Sequence, residues 1–369
     1  MQRTVLLDRD INMTENASGF LIIKEKTIRQ AMSQLSEVGE KQLFVVDDDN
    51  RLIGALSDGD IRKWILKGGN LYKKVDEVCN KFPKYVSENY DIEDVKQIML
   101  EEKIESIPVI NKDRIVKDIL VWDKVFSGEV KRHREKIDMP VVIMAGGKGS
   151  RLDPYTKILP KPLIPIGEKP IIELIMDKFN EFGIKDFFIS INHKAKMIKS
   201  YFEETNGEYN ITYIEESMPL GTIGSLSLVR KEIDNTVLVT NCDVIVDADY
   251  VELVRFHKDR GYSMTLVACY RHYTVPYGVC EIANGGSLKA IKEKPKYDLL
   301  INAGMYIMNK EILSLIPENR CFDSTDLINA AQSASYPVGV FPIHEKDWLD
   351  VGEWDEYRKT VRKLSLDID

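Results

Sequence analysis

The sequence predicts an α/β protein, with a doubly wound, mostly parallel sheet preceded by a smaller α+β region. Two observations predict the sheet. Strand patterns alternate with helical patterns from residue 139 onwards, and the apolar run Met139 to Ala145 leads directly into a glycine-rich turn. A helix-strand-strand pattern that occurs twice before residue 127 predicts the smaller region.

In the smaller region, amphipathic helices are predicted around Ile28 to Val38 and Ile92 to Glu101. Each precedes two strand patterns, which begin at Leu43 and Ile107, and the two halves should pair to close one core. In the larger region, the first helix after the glycine-rich turn should end at Gly183. The elements predicted there are the helices Ile171 to Phe182 and Ala195 to Glu204 and the strands Asp186 to Ile191, Ile211 to Ile214 and Thr236 to Thr240.

The domain organisation follows from a charged segment, residues 127–138, which has little apolar content and is predicted to be a solvated linker. A chain of 369 residues also exceeds what one core usually serves. The predicted domains are residues 1–126, with halves of about 1–68 and 69–126, and residues 139–369.

Composition excludes several classes of protein. A net charge of -8 argues against general binding to nucleic acid or to anionic membranes. No apolar stretch reaches the length of a membrane span, and the first residues lack a signal-peptide core, so a cytoplasmic protein is expected. The five cysteines form no Cys-x-x-Cys motif, which predicts reduced, buried thiols rather than disulfides or a zinc site.

The glycine-rich turn is suited to a polyphosphate. After Ala145, the glycines 146, 147 and 149 allow backbone N–H groups to approach phosphate oxygens, which a Cβ would obstruct. Arg151 and Lys161 supply positive charge. The spacing matches neither a Walker A loop nor a dinucleotide fingerprint, because Lys148 lies between two glycines and Leu152 stands where a third glycine would be needed.

Residues 144–170 resemble the signature of the sugar-1-phosphate nucleotidyltransferases, in which Gly-Gly-x-Gly-x-Arg-Leu is followed by Pro-x-Thr and Pro-Lys-Pro. The resemblance implies a Rossmann-like sheet and an enzyme. In the implied reaction, a sugar 1-phosphate oxygen attacks the α-phosphorus of a nucleoside triphosphate and pyrophosphate leaves. Arg151 and Lys161 are then the catalytic cations.

Two further motifs predict a magnesium site. Asp243, in Asn-Cys-Asp, ends an apolar strand, and Asp350 lies in Trp-Leu-Asp-Val-Gly, which resembles the family's Trp-x-Asp-x-Gly. Mg²⁺ prefers oxygen ligands and usually binds through a few carboxylates together with substrate phosphates. The alternative for Asp243 is a turn-forming aspartate.

The base is predicted from the segment that follows the strand Ile211 to Ile214. Glu216 is expected to accept hydrogen bonds from the ring N–H and the amine of guanine, because a carboxylate offers acceptors only. This favours GTP over UTP, dTTP or CTP, and the competing interpretation is a solvent-exposed acidic pair, Glu215 and Glu216. The base should lie against Pro219 and Gly221, and Thr222 should begin a helix.

The remaining motifs resemble the family's sugar pocket. The implied contacts are backbone at Tyr277 and Gly278, sugar hydroxyls at Glu293 and Asn302, and a phosphate at Lys294. The whole chain resembles guanylyltransferases for glucosamine 1-phosphate or mannose 1-phosphate, which act in nonulosonic acid or cell-surface glycan synthesis. These residues do not distinguish an amine from a hydroxyl at C2.

The first third resembles a tandem pair of CBS domains. That resemblance implies an adenine nucleotide held by Ser57 and Asp60, although Leu120 departs from the pattern in the second half. A helix N-cap is the alternative role for Asp60. CBS pairs also serve as dimerisation platforms, so a homo-oligomer is expected. A hypothesis of another class is a catalytically silent, adenine-nucleotide-sensing scaffold.

Overall fold

A computed structural model describes residues 18–38, 41–102, 104–126, 135–205, 209–354, 356–358 and 360–361. The predictions for the first seventeen residues and for residues 127–134 of the linker lie outside these ranges. The chain forms two compact units, residues 1–133 and 134–369. Among the described helices, none has the length and hydropathy needed to cross a lipid bilayer.

The N-terminal unit contains two similar three-stranded sheets. Its helices and strands are β1 (Leu21–Ile23), α1 (Ile28–Val38), β2 (Gln42–Val46), β3 (Leu52–Ser57), α2 (Asp58–Leu66), β4 (Val86–Ser87), α3 (Ile92–Glu102), β5 (Ser106–Ile110), β6 (Val116–Val121) and α4 (Trp122–Phe126). The strand orders β1-β2-β3 and β4-β5-β6 each combine one parallel and one antiparallel pair. The predicted internal repeat is therefore present in the fold.

The two halves of this unit share one core. Phe44 and Leu52 of the first half pack in the same buried cluster as Val116 and Ile119 of the second. A backbone hydrogen bond of 2.8 Å, from Leu52 N to the carbonyl oxygen of Arg114, also joins the halves. Each half thus covers apolar surface that the other would leave exposed.

Ser57 and Asp60 form a capping box at the start of α2. The Ser57 hydroxyl accepts from the Asp60 N–H at 3.1 Å, and Asp60 Oδ2 accepts from the Ser57 N–H at 3.0 Å. The N-cap of α2 is Ser57, so the alternative prediction that Asp60 is the N-cap is wrong. Asp60 is instead the third residue of the helix, where its carboxylate completes the cap.

The C-terminal unit alternates strands and helices. Its elements are β7 (Val141–Met144), α5 (Tyr155–Ile158), β8 (Pro165–Ile166), β9 (Lys169–Pro170), α6 (Ile171–Asn180), β10 (Asp186–Ile191), α7 (Ala195–Glu204), β11 (Asn210–Glu215), α8 (Leu226–Val229), β12 (Thr236–Asn241), β13 (Val244–Val246), α9 (Tyr250–Asp259), β14 (Met264–Thr274), β15 (Val279–Ile282), β16 (Leu288–Lys292), β17 (Lys296–Asn309), α10 (Lys310–Leu313), α11 (Ser324–Ser333), β18 (Val338–Ile343) and β19 (Trp348–Asp350).

A seven-stranded sheet, in the order β11-β10-β7-β12-β17-β14-β18, organises this unit. Only β17 runs antiparallel to its neighbours within this sheet, which confirms the predicted, mostly parallel α/β fold. In β7, Val141 and Ile143 face one hydrophobic core and Val142 faces the other. Because a hydrophobic core covers each face of β7, its residues form a continuous apolar run in the sequence.

The end of the predicted linker belongs to this core. Ile137 is buried, and its N–H donates to the carbonyl oxygen of Phe182 at 2.9 Å. The prediction of a solvated segment is therefore wrong for residue 137, whose apolar side chain is isolated among charged neighbours in the sequence. That isolation is why no amphipathic period could reveal its burial.

The cysteines follow their prediction only in part. Cys79, Cys242 and Cys269 are buried, whereas Cys280 and Cys321 are exposed. Burial raises the pKa of Cys242 and of Cys269 to about 12, so both carry neutral thiols. Cys242 adjoins Asp243 but is not a nucleophile in this state.

His257, on α9, is held in a buried hydrogen-bond network. Its Nδ1 lies 2.8 Å from Thr265 Oγ1 and its Nε2 lies 3.0 Å from Asn309 Oδ1. Because an amide oxygen can only accept, the network assigns the proton to Nε2. Burial lowers the pKa of His257, which is therefore neutral in the folded protein.

Acidification should destabilise the fold through His257. In the unfolded chain this residue takes up a proton as the pH falls below about 6.5, whereas the buried imidazole takes one up only at lower pH. Its contribution to the free energy of unfolding is thus complete above this pH and declines below it, by up to about 1.4 kcal/mol per pH unit. Denaturant unfolding measured at several pH values between 5 and 7 should show that the free energy of unfolding depends less steeply on pH in His257→Gln than in the wild type. Parallel curves of this free energy against pH for the two proteins would contradict the assignment.

Candidate active site

The glycine-rich loop follows β7 at the carboxyl ends of the parallel strands. Gly149 has a φ of +67°, and a Cβ there would lie 2.8 Å from the Cβ of Lys161. A Cβ on Gly146 would lie 2.6 Å from Glu216 Oε1, whereas one on Gly147 would meet no atom within 4 Å. The buried Ala145 fixes the start of the loop, since its N–H donates to the Ser190 carbonyl at 3.0 Å. The loop is thus tightly packed at Gly146 and Gly149 and faces open space at Gly147.

The four residues predicted to be catalytic lie together beside this loop. Lys161 Nζ donates to Asp243 Oδ2, and both side chains are largely buried. Arg151 Nη2 lies 3.9 Å from the same oxygen, while Arg151 Nη1 donates to Glu353 Oε1 at 3.1 Å. Asp350 reaches the cluster through the antiparallel pairing of β13 and β19, in which it lies opposite Val244.

Gly352 allows the two carboxylates to converge. An ideal Cβ on Gly352 would lie 2.6 Å from Asp243 Oδ2, 2.9 Å from Asp350 Oδ1 and 3.2 Å from Lys161 Nζ. The Gly352 N–H also donates to Asp350 Oδ1 at 2.8 Å. Burial raises the pKa of Asp350, and the neighbouring charge of Asp243 raises it further. Two carboxylates that share one small space favour a cation between them.

The donor set of this cluster fits a hard divalent cation. Asp243 and Asp350 offer carboxylate oxygens, which Mg²⁺ prefers, and the space at Gly147 leaves room for phosphates. Among the described residues, no group of three or more His, Cys, Asp or Glu side chains forms a closed metal site. A pair of carboxylates, Asp243 and Asp350, suits Mg²⁺, which keeps several waters and usually shares its coordination with substrate phosphates.

Glu216 lies at the junction of three segments that line the site. It is only 9% exposed, whereas its neighbour Glu215 is exposed, so the alternative of a solvent-exposed acidic pair applies to Glu215 only. The Ser190 hydroxyl donates to Glu216 Oε1, and the Leu220 N–H donates to Oε2 at 3.2 Å. Asn192 Nδ2 donates to the Glu216 carbonyl at 2.7 Å. The carboxylate is therefore fixed directly behind the glycine-rich loop.

The segment Pro219–Thr222 forms a turn against the start of α11. Gly221 has a φ of +81°, and the Thr222 N–H donates to Asp323 Oδ1 at 2.9 Å. The Thr222 hydroxyl accepts from the Ser324 N–H at 2.9 Å. The prediction that Thr222 begins a helix is wrong, because α8 begins only at Leu226. Thr222 therefore lies in a turn that is bonded to the start of α11, and it does not begin a helix of its own.

Asn302, predicted to contact the sugar, precedes two residues that contact the aspartate-bearing segments. Its Nδ2 donates to the Tyr306 hydroxyl at 2.8 Å within β17. Next to it, the Ala303 carbonyl accepts from Trp348 Nε1 at 3.2 Å, and a Cβ on Gly304 would lie 2.6 Å from Asn241 Nδ2. The pairing of β17 with β14 is irregular at this point, because the register shifts between Leu266 and Ala268.

The other predicted sugar residues lie at the base of the β15–β16 ribbon. The Lys294 N–H donates to the Tyr277 carbonyl at 3.3 Å, and a Cβ on Gly278 would lie 3.1 Å from Glu293 Oε2. Tyr277 is 74% exposed. These residues thus face one another across the ribbon at a solvent-exposed position.

Comparison with known proteins now identifies the family. Residues 140–365 match the family model described as nucleotidyl transferase. The chain belongs to the nucleotidyl transferase family. Residues 10–67 and 75–123 each match the CBS domain model, which confirms the predicted combination of a CBS pair with a member of this family.

The relatives within this family differ in the nucleotide that their names specify. A UTP–glucose-1-phosphate uridylyltransferase of Synechocystis is 28% identical over 248 residues, which are 61% of this chain and 63% of the relative. A mannose-1-phosphate guanyltransferase of Saccharomyces cerevisiae is 34% identical over 230 residues, or 58% and 62% of the two chains. The chain therefore spans less than two thirds of the length of these curated relatives.

A solved structure shares the fold over part of this chain. The crystal structure of HddC from Yersinia pseudotuberculosis aligns with a TM-score of 0.50 and 26% sequence identity. The alignment covers 62% of this chain and 100% of HddC.

Several residues that shape the site were not predicted from the sequence. Ser190 and Asp323 contact predicted nucleotide-binding residues, and Glu353 pairs with Arg151. Glu353 directly follows the Trp-x-Asp-x-Gly motif, so its place in the sequence was a usable signal. Ser190 lies within an ordinary strand pattern, which offers no such signal.

Proposed function

We propose that this protein transfers GMP from GTP to a hexose 1-phosphate and releases pyrophosphate. The observation that supports this most strongly is the convergence of Asp243, Asp350, Lys161 and Arg151 beside the glycine-rich loop. Two anionic reactants must meet in this reaction, so positioning and charge neutralisation account for most of the acceleration. Membership of the nucleotidyl transferase family supports the same reaction class.

Each charged residue has a role in this reaction. The attacking phosphate oxygen is already ionised, so no general base is needed. Arg151 and the loop N–H groups would hold the triphosphate and the departing pyrophosphate, and Lys161 would neutralise charge where the two phosphates meet. Asp243 and Asp350 would hold Mg²⁺, which supplies Lewis-acid charge neutralisation when bound.

The position of Glu216 supports guanine as the base. Its carboxylate is buried against the loop predicted to hold the phosphates, where an unpaired negative charge would be unfavourable. Guanine presents two adjacent donors, the ring N–H and the exocyclic amine, which one carboxylate can accept together. Since the named relatives include both a guanyltransferase and a uridylyltransferase, family membership alone leaves the base open.

Glu216→Gln should lower kcat/KM for GTP relative to UTP by about tenfold to a hundredfold, the range typical of a hydrogen bond to a charged group. The measurement is pyrophosphate release with each nucleotide at limiting concentration. Glu215→Gln is the matched control, because the neighbouring carboxylate is exposed and pairs with Lys199. An unchanged ratio in Glu216→Gln would contradict guanine recognition by this residue.

Glucosamine 1-phosphate and mannose 1-phosphate are the proposed acceptors, for nonulosonic acid or cell-surface glycan synthesis. The test is to incubate the full chain with Mg²⁺, each of GTP, UTP, dTTP and CTP, and a panel of sugar 1-phosphates. Pyrophosphate should appear with GTP and one of these two sugars. A protein that releases none with any pair would instead match the silent-scaffold hypothesis.

The CBS pair is proposed to regulate or dimerise the enzyme. Ser57 and Asp60 remain the candidate ligands for an adenine nucleotide, and their capping box holds both side chains at the end of β3. Binding of AMP, ADP or ATP to the full chain, measured by titration calorimetry, tests the first role. Sedimentation analysis tests the second.

A further inference from the structure

We infer that Ser190 is a positioning residue that orients the Glu216 carboxylate towards the base and thereby sets nucleotide preference. This inference rests on the proposed function, because it assigns a cause to the guanine preference of the same site. Ser190 would not contact the substrate. It acts through the hydrogen bond that its hydroxyl donates to Glu216 Oε1.

The two oxygens of Glu216 each receive one neutral donor. Ser190 donates to Oε1, and the backbone N–H of Leu220 donates to Oε2 at 3.2 Å. Two such bonds fix the plane of the carboxylate. Because each carboxylate oxygen can accept more than one hydrogen bond, both oxygens retain capacity for the two donors of a guanine.

Ser190 occupies a rigid position in the sheet. It is completely buried in β10 and lies opposite Met144 of β7, and its carbonyl oxygen accepts from the Ala145 N–H at 3.0 Å. Gly146 leaves the space that the Glu216 carboxylate fills. A functional group held by a central strand keeps its geometry better than one held by a loop.

Fixed orientation matters more for selectivity than for catalysis. A carboxylate free to rotate can accept a single N–H from any base, whereas the bidentate contact to guanine requires one defined plane. Without the Ser190 hydroxyl, Oε1 also loses a donor in a buried environment. The loss should therefore weaken GTP binding and reduce discrimination between bases, while Arg151, Lys161 and Asp243, which act on the phosphates, are unchanged.

The test compares Ser190→Ala with the wild type in steady-state assays with GTP and UTP. We expect the ratio of kcat/KM for GTP over UTP to fall about tenfold, mainly through the KM for GTP, with kcat at saturating GTP changed less than about threefold. Ser227→Ala is the matched control, because this buried hydroxyl donates to the Gly224 carbonyl at 2.7 Å and not to Glu216. Its nucleotide ratio should equal that of the wild type.

A double-mutant cycle separates positioning from a general structural role. In a Glu216→Ala background, Ser190→Ala should leave the nucleotide ratio unchanged within about twofold, because there is no carboxylate left to orient. Equal effects of Ser190→Ala with and without Glu216 would overturn the inference. Should Ser190→Ala fail to fold, Ser190→Cys replaces the hydroxyl by a slightly larger group that is a weaker donor, and its ratio should fall in the same direction.

The outcomes also distinguish this inference from the proposed function. A wild-type enzyme that prefers UTP, or releases no pyrophosphate, contradicts the proposed function before any variant is made. A wild-type enzyme that prefers GTP, together with an unchanged ratio in the folded Ser190→Ala variant, overturns the role of Ser190 alone.

Discussion

Replacing Asp243 by asparagine is expected to lower kcat by at least about a hundredfold while the protein remains folded. The change removes one of the two carboxylates proposed to hold Mg²⁺. It also takes the anion away from Lys161, whose side chain is only 9% exposed, so the ammonium would lose its partner in a largely buried position. Initial rates of pyrophosphate release with saturating substrates measure the loss, and circular dichroism checks the fold.

Asp247→Asn is the matched control for this experiment. Asp247 follows β13 in the same region, but its carboxylate pairs with Lys178 Nζ at 3.1 Å and is 47% exposed. Surface ion pairs of this kind contribute little to stability. The control should keep a rate within about twofold of the wild type. An Asp243→Asn enzyme that stays within a few-fold of the wild-type rate would remove Asp243 from the catalytic cluster.

Gly352→Ala is expected to reduce kcat by about a hundredfold as well, through sterics alone. The new methyl group would lie 2.6 Å from Asp243 Oδ2 and 2.9 Å from Asp350 Oδ1, distances that real side chains do not show. The backbone of each aspartate is held, so the carboxylates themselves would have to turn away from the new methyl group. Asp350 is the end of β19, and the Val351 N–H donates to the Asp243 carbonyl at 2.9 Å. Displacing catalytic groups by about 1 Å typically costs this much.

Gly59→Ala provides the comparison for the glycine variant. A Cβ at Gly59 would meet only Ser57 Oγ, at 3.6 Å, which is ordinary van der Waals contact. Rates and thermal midpoints are measured for both variants. The loss of activity in Gly352→Ala should be larger than any change in its thermal midpoint would explain. Gly59→Ala should keep both the rate and the thermal midpoint of the wild type. Full activity in Gly352→Ala would show that the two carboxylates are not held against this glycine in the working enzyme.

Local patterns predicted most of the fold. The bounds of α1, β10 and α7 agree with the sequence prediction, because each carries its own periodicity over six or more residues. Local sequence patterns did not predict the structure correctly where a residue's environment is formed by a segment distant in the sequence. Ile137 is buried by contact with Phe182, and Thr222 lies in a turn because Asp323 and Ser324 hold it there.

The sequence by itself predicted the glycine-rich loop, its two cations and the two aspartates, because each lies in a short motif that resembles the family's signature and suits phosphate or metal chemistry. Only the tertiary structure decided how they meet. Lys161 and Asp243 are 82 positions apart, and Ser190 and Glu216 are 26 apart, so no local spacing encodes their contacts. The folded sheet brings its strand ends together, buries Glu216 but not Glu215, and places Gly352 where a side chain would separate the carboxylates.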